Sequence, residues 1–414
     1  MCHGAMRRRP AAASGGPAAP APAGQPPRQP RPARRRELTL ACPVPAAPLL
    51  LFRSCWACCL AKELYDELPR LPAQYGAGLF NFKYLVLDVA TPSLPALHAI
   101  FGLLFVALGY LVLAPWLEPR RLPMCVSRAA CLLVLLGYGF VFLLEAQRYN
   151  NHYYLSVLLA AWLALTPISR SLTVPAWGLA AVRWQIAAVY AFGGLAKLSD
   201  DWLSGATWLS LRSSVQHGAS ADLIATTAAA LEAIGAPPEW RGERAAGQLL
   251  SWGGAAFDLG VGPLLLARWR PAVWLGVASA SAFHLSNLFS FTIGVFPVTM
   301  LATGPLFLGY PATAATLRMS PPEPRTRGAK PGGKPGGKGA TGGWGWAARL
   351  GVALAASQLL LPLRSYGYGP PAQTLWSTDG SHFSWRMMTH SIQFLQCTFT
   401  LAPPAGSAGA NVTL

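Results

Sequence analysis

Acidic side chains are scarce in this chain. Only 16 Asp and Glu stand against 33 Lys and Arg in 414 residues, and charged residues of both signs make up 12%. A soluble domain carries about 25% charged residues, so the ordinary solvated globular surface is excluded. The common soluble catalytic signatures are missing as well: there is no zinc-binding helix motif, no nucleophile elbow and no dinucleotide fingerprint. Gly332 to Lys338 has the spacing of a phosphate loop, but Gly339 stands where Ser or Thr would bind magnesium, and the Gly-Lys-Pro repeat has no strand before it. It reads as a linker. Cys55, Cys58 and Cys59 have a metal-like spacing but no second Cys or His pair nearby, so they read as small apolar packing. The 8 cysteines, scattered over tail, apolar runs and C-terminus, impose no disulfide framework.

What the chain has is hydrocarbon. Hydrophobic residues make up 53% of it, and apolar runs near the ~20 residues that cross a bilayer recur along it. Nine candidates lie at about 46 to 64, 98 to 116, 127 to 144, 153 to 166, 177 to 197, 249 to 267, 272 to 289, 293 to 311 and 345 to 362. The fold class is therefore an all-α integral membrane protein, a multi-span helical bundle in a lipid bilayer. The organisation expected is a disordered basic tail over 1–45, a membrane domain over 46–311, a basic Gly/Pro/Lys-rich linker over 312–344, a last span over 345–362 and a short tail over 363–414.

The net charge of +17 is placed as membrane orientation places it. Residues 1 to 36 contain many Arg and no acid, and 318 to 338 alternate Arg or Lys with Pro and Gly. Neither stretch interleaves aromatic stacking platforms with its charge, so no nucleic-acid partner is expected. With the N-terminus in the cytosol, nine crossings put Arg120, Arg121, Arg128, Arg170, Arg268, Arg270 and the 318 to 338 stretch on the cytosolic side. The C-terminal tail, with its sequon Asn411-Val412-Thr413, falls on the lumenal side.

The same alternation gathers three polar clusters at the lumenal face. Lys197 ends an uncharged apolar stretch, in Tyr190-Ala-Phe-Gly-Gly-Leu-Ala-Lys197-Leu-Ser-Asp-Asp-Trp202. It is either a snorkelling anchor or an amine kept short of water, where desolvation favours the neutral form that acts as a base. Asp200 and Asp201 would oppose that if they touched it, so they are expected to point elsewhere. His152 follows Asn150 and Asn151 just before a span, where a capping turn also needs polar side chains. His284 and Asn287 lie one turn apart on one helical face, and intramembrane polar residues normally face the bundle interior. Asp258, in an otherwise apolar run, is either a counter-ion or a helix-to-helix hydrogen-bonding residue.

Five blocks carry a resemblance. They are Phe142 to Leu155 with its Asn-Asn-His, Gln185 to Trp202 with Lys-Leu-x-x-Asp-Trp, Phe257-Asp-Leu, Phe283 to Pro305, and Phe383-Ser-Trp-Arg-Met-Met388. In order over about 80 to 390, they resemble the vitamin K-dependent gamma-carboxylase family, with its HTTM membrane domain. The resemblance implies an enzyme of the endoplasmic reticulum membrane with its site facing the lumen. It would couple oxygenation of reduced vitamin K (the hydroquinone) to carboxylation of a peptide or protein glutamate, with O2 and CO2 as co-substrates. It further implies Lys197 as the base, His152 in the glutamate chemistry, His284 and Asn287 toward the cofactor, and Asn151, Asp201, Trp202 and Asp258 in support. Where the animal enzymes have a second lysine before the catalytic one, this chain has Ala196. The family's large lumenal C-terminal domain has no counterpart in the 414 residues. The alternative is a non-catalytic HTTM scaffold or binding protein; a transporter would show inverted repeats, and none is evident.

Overall fold

The computed structural model describes residues 40, 42–84, 87, 89–117, 124–212, 218–291, 293–319, 345–368, 382–386, 400–401 and 412–413. The N-terminal tail to residue 39, Arg120 and Arg121, residues 320–344 of the linker, Met388 and Asn411 of the sequon lie outside the described residues.

The chain is a helical bundle. In order run β1 (Pro43–Pro45), α1 (Ala47–Glu67), α2 (Leu71–Tyr75), α3 (Leu94–Leu117), α4 (Met124–Leu143), α5 (Asn151–Leu165), β2 (Thr173–Pro175), α6 (Ala176–Ala196), α7 (Asp200–Leu203) and α8 (Ala206–Arg212). There follow α9 (Gly218–Ala233), α10 (Gly242–Leu266), α11 (Arg270–Ser290), α12 (Phe296–Ala302), α13 (Pro305–Leu308), α14 (Tyr310–Thr316), α15 (Trp346–Leu363), β3 (Thr400–Leu401) and β4 (Val412–Thr413). β1 pairs antiparallel with β2 in the register Val44 to Val174, and β3 with β4. Residues 43–45, expected at the end of a tail, thus belong to a ladder, and α14 occupies the start of the expected linker.

Six helices among the described residues are long and apolar enough to cross a membrane: Leu94–Leu117, Cys125–Leu143, Ala176–Ala196, Gly242–Leu266, Arg270–Ser290 and Trp346–Tyr368. The protein is an integral membrane protein, and a bilayer surrounds these helices. Of the nine apolar runs expected, six correspond to helices with the length and apolarity of a crossing among the described residues, and the other three differ for physical reasons. α5 has 15 residues, short of a crossing. The run at 293 to 311 breaks into short helices at Gly304 and Gly309, the latter with φ 81°. α1 is long enough but carries Arg53, Lys62 and Glu63 within its apolar stretch.

α1 carries Arg53 and Glu63 buried in protein, whereas Lys62 is exposed and pairs with Asp66. The helix packs against α3, α12, α13 and α14, and Leu50, Phe52, Arg53, Trp56 and Leu60 are all buried. Arg53 Nη1 donates to Ser127 Oγ of α4, so the guanidinium is met inside the bundle. The outer helices show the reverse. Leu103 and Val106 of α3, Leu136 of α4 and Phe289 of α11 are exposed apolar side chains, the composition of a surface that faces lipid.

The site is positioned chiefly by the crossing of α6 and α10. A Cβ on Gly194 would stand 2.8 Å from Leu259 Cγ and 2.9 Å from the Leu259 backbone nitrogen, and one on Gly262 would stand 3.2 Å from the Ala187 carbonyl oxygen. Small residues at these points let two backbones approach closely. The end of α6 is thereby held against the middle of α10.

Candidate functional site

Beside that crossing is a cavity of about 800 Å³, a size that holds a small organic molecule. Its walls come from the loop before α5, from α5 itself, α6, α10 and α11, and from the turn at Gly294. Trp208 and Leu223, from α8 and α9, close one side.

Of the residues expected in a site, Asn151, His152, Lys197, Trp202, Asp258, His284 and Asn287 all line this cavity. Asp201 does not. Asp200 is exposed and Asp201 half-buried; both sit in the first turn of α7, which begins after α6 has ended.

Lys197 is the C-terminal cap residue of α6, its backbone N–H returning to the Gly193 and Gly194 carbonyls. Its side chain is 9% exposed and donates from Nζ to Oδ2 of Asp258, whose side chain is 6% exposed. The open question about Asp258 therefore resolves as a counter-ion. The Lys197 Nζ also stands 5.1 Å from the centre of the Trp202 ring, a cation-π distance. Trp202 is itself fixed by donating from Nε1 to the Ser251 carbonyl at 2.7 Å. A buried ion pair hydrogen-bonded and roofed by an indole is not a snorkelling anchor: its head group turns inward.

His284 is buried on α11, and its Nε2 is 2.8 Å from the Tyr190 hydroxyl; its Nδ1 has no hydrogen-bond partner among the described residues. Next to it Phe283 stacks on Phe257 of α10, centroids 4.0 Å apart. The pair gives the cavity an apolar, planar wall between His284 and the Lys197–Asp258 pair.

His152 lines the same cavity from the first turn of α5. Burial pushes its imidazole down to about 4, against the pull of the Glu67 carboxylate in the other direction; at neutral pH it is an uncharged donor and acceptor. Gly294, at φ 62°, passes close by: a Cβ there would be 3.6 Å from His152 Nε2. Positive φ favours glycine at that turn. Asn150 is the N-cap of α5 by position, but its side chain makes no capping bond. The capping reading of the Asn-Asn pair is not realised.

Asn151 has another task. Its Nδ2 donates to the Arg386 carbonyl at 2.8 Å, and its Oδ1 accepts from the Tyr149 hydroxyl at 2.9 Å. The Tyr149 oxygen in turn accepts from the Phe383 backbone N–H at 2.7 Å, and burial raises the Tyr149 phenol well above its ordinary range. These bonds dock residues 382–386 on the cavity rim, with Trp385 fully buried against Tyr154. Phe383 and Trp385 both have φ near 60°, a strained conformation for residues with a Cβ, held here by the surrounding contacts.

Sequence reasoning missed Tyr190 and Arg386 as lining residues and Glu63 behind His152. Tyr190 had a legible signal: it lies seven residues before Lys197, two helical turns back on the same face. Glu63 was a carboxylate in an apolar run, and such residues face the protein interior. No group of three or more His, Cys, Asp or Glu able to hold a metal ion occurs among the described residues.

No solved structure matches the chain. The family model described as HTTM domain matches residues 42–310, roughly two thirds of the sequence, from β1 through the start of α14. That span contains Lys197, Asp258, His152 and His284, and the chain belongs to the HTTM domain family.

Proposed function

We propose that this chain is a quinol-driven glutamyl carboxylase of the vitamin K-dependent type, acting in the endoplasmic reticulum membrane with its cavity open to the lumen. The observation that carries this reading is the inward-facing Lys197–Asp258 pair in a cavity that also presents two buried histidines. HTTM domains occur in the gamma-carboxylase family, which supports the same reading.

The cavity suits a reduced naphthoquinone. Phe257 and Phe283 offer an aromatic wall, Tyr190 holds one nitrogen of His284 while the other is unpartnered, and the Lys197 amine lines the same cavity. His284 and Asn287, one turn apart, would hold the hydroxyl groups. Bound there, the hydroquinone would supply by its oxygenation the driving force to remove a γ-proton from glutamate, after which CO2 joins the carbanion.

The chain's own residues handle the protons. The Asp258 carboxylate in contact favours the Lys197 ammonium, so Lys197 serves as base only after one proton passes along the Nζ to Oδ2 contact, which leaves a neutral amine beside a neutral acid. That amine is the base. Neutral His152, in the wall of the same cavity, hydrogen-bonds the glutamyl carboxyl and orients it. Trp202, Phe257 and Phe283 keep water from the reacting region, which protects a strongly basic centre from being quenched.

Microsomes containing the chain, given reduced vitamin K, labelled bicarbonate and a short Glu-rich peptide, are expected to fix label and form epoxide, with Lys197→Ala inactive. Absence of both products with the unaltered chain overturns the catalytic reading in favour of a scaffold or binding role. Equal activity in Lys197→Ala overturns only the choice of base.

A further inference from the structure

A buried acid that the proposed chemistry does not use is Glu63. It sits near the end of α1, 5% exposed. Its Oε1 accepts from the Tyr138 hydroxyl of α4 at 2.9 Å and lies 4.0 Å from His152 Nε2. Its Oε2 is buried without a partner. Glu63 also lines a second, small cavity of about 50 Å³, shared with Glu67, Gln74, Tyr138, Glu145, Arg148 and Tyr153. That volume has room for a few waters, each needing two or more polar partners, and this lining supplies them.

The two cavities share Tyr153 in their walls, and His152 of the large one stands 4.0 Å from Glu63 of the small one. The imidazole lines the large one, and Glu63 stands directly behind it in the small one. At the far end of the small cavity, Glu67 accepts from Arg148 Nη2 at 2.7 Å, from Gln74 and from Arg70. Burial pushes the Glu67 carboxyl up, but those donors outweigh it and hold it below the usual carboxylate range. Arg70 is well exposed. A continuous polar path therefore runs from the large cavity to the surface: His152, Glu63, the water-sized space, then Glu67 with Arg148 and Arg70.

We infer that Glu63 is a proton relay, moving protons between His152 in the large cavity and solvent at the Glu67–Arg148 end. In each passage neutral His152 takes a proton at one ring nitrogen and gives one from Nε2 to Glu63 once that group, an acid at rest because burial pushes it up to about 8, has released its own proton. The 4.0 Å gap is one that a bridging water or a small side-chain rotation closes. The Glu63 acid then releases its proton to water in the small cavity, and Glu67 passes it outward. No bond other than N–H and O–H is made or broken, and no electron moves. The need for such a path rests on the carboxylation proposed above: a glutamyl CH2 plus CO2 gives a dicarboxylate CH and one proton, which has to leave a reacting region from which Trp202, Phe257 and Phe283 keep water. The groups that face Glu63 are Cys59, Asp66 and Glu67 from α1, Tyr138 from α4, His152 and Tyr153 from α5, and Glu145 and Arg148 from the turn before α5.

The test is infrared spectroscopy on the purified full-length chain in detergent, without any substrate. A protonated-carboxyl band that rises and falls with pH is expected, lost in Glu63→Gln, with hydrogen-to-deuterium exchange slowed about tenfold or more in Glu67→Gln. The second variant leaves Glu63 in place and guards against a misfolded Glu63→Gln. A pH-dependent band unchanged by Glu63→Gln, or exchange as fast in Glu67→Gln as in the unaltered chain, overturns the relay. Failure of the carboxylation assay with the infrared result intact would overturn only the function proposed above.

Discussion

Lys197 at the end of α6 is neutralised by Asp258 of α10, 61 residues away in sequence, rather than by the two aspartates that follow it within four residues. The pair is the single ionic tie between these two helices among the described ion pairs. It is buried on both sides, so removing one partner strands a charge. Asp258→Asn and Lys197→Met are each expected to destabilise the protein by about 3 to 5 kcal/mol. The double variant Lys197→Met with Asp258→Leu should recover most of that loss, since an apolar pair of similar volume replaces both charges. Thermal unfolding in detergent micelles measures this. A double variant as unstable as the two losses summed would show that the pair is held by something other than its own neutralisation.

Close approach of α6 and α10 is what makes that pairing geometrically available. Gly194→Val should cost about 1 to 3 kcal/mol as the helices are forced apart against the Leu259 backbone. Gly253→Ala, at a position with open space around it, is the matched control and should be neutral or slightly stabilising. Similar losses in both variants would point to glycine's chain flexibility rather than to the crossing.

Tyr149 joins the rim segment to the cavity wall through one oxygen. Tyr149→Phe removes the acceptor for the Phe383 N–H and the donor to Asn151 Oδ1. Losses of about 1 to 3 kcal/mol follow when a buried polar group is left unpaired, and the strained turns at Phe383 and Trp385 lose part of what holds them. Limited proteolysis should then cut near residues 382–386 while leaving α5 and α6 intact. Unchanged protection of that segment would mean that Trp385 packing alone secures it.

Much of the site is legible in the sequence, because membrane burial makes polar residues conspicuous. Lys197, His152 and the His284–Asn287 face each interrupt hydrocarbon, and each lines the cavity of about 800 Å³. The helix count is less legible. Hydropathy registers how apolar a run is, and a helix enclosed by other helices can be as apolar as one that faces lipid, so α1 and the broken run after Gly294 both resemble spans. Pairing partners are the least legible. The sequence marks Asp258 as either a counter-ion or a helix-to-helix hydrogen-bonding residue without deciding between them, because its contact with Lys197 depends on glycines that permit a crossing, and glycine spacing alone does not announce which helices meet. Glu63 is hidden for a related reason: its partners Tyr138 and His152 lie 75 and 89 residues further along the chain.

The acid side of the stability profile should carry the mark of His152. Its imidazole sits at about 4 in the folded protein and ordinarily at 6.5, so the unfolded chain binds the extra proton more readily. The stability that accompanies neutral His152 is complete above about 6.5 and is lost as pH falls through the window down to about 4. Within that window the loss from this one group is about 1.4 kcal/mol per pH unit. His152→Gln keeps a polar side chain of similar reach and does not titrate, so its unfolding free energy should fall more gently than that of the unaltered chain between those pH values, with the two profiles parallel above 6.5. Denaturant unfolding followed at several pH values reads the difference directly. Parallel profiles through the acid window would mean that the imidazole keeps its ordinary affinity for protons, and the closed, water-poor wall assigned to His152 would then have to be open to solvent.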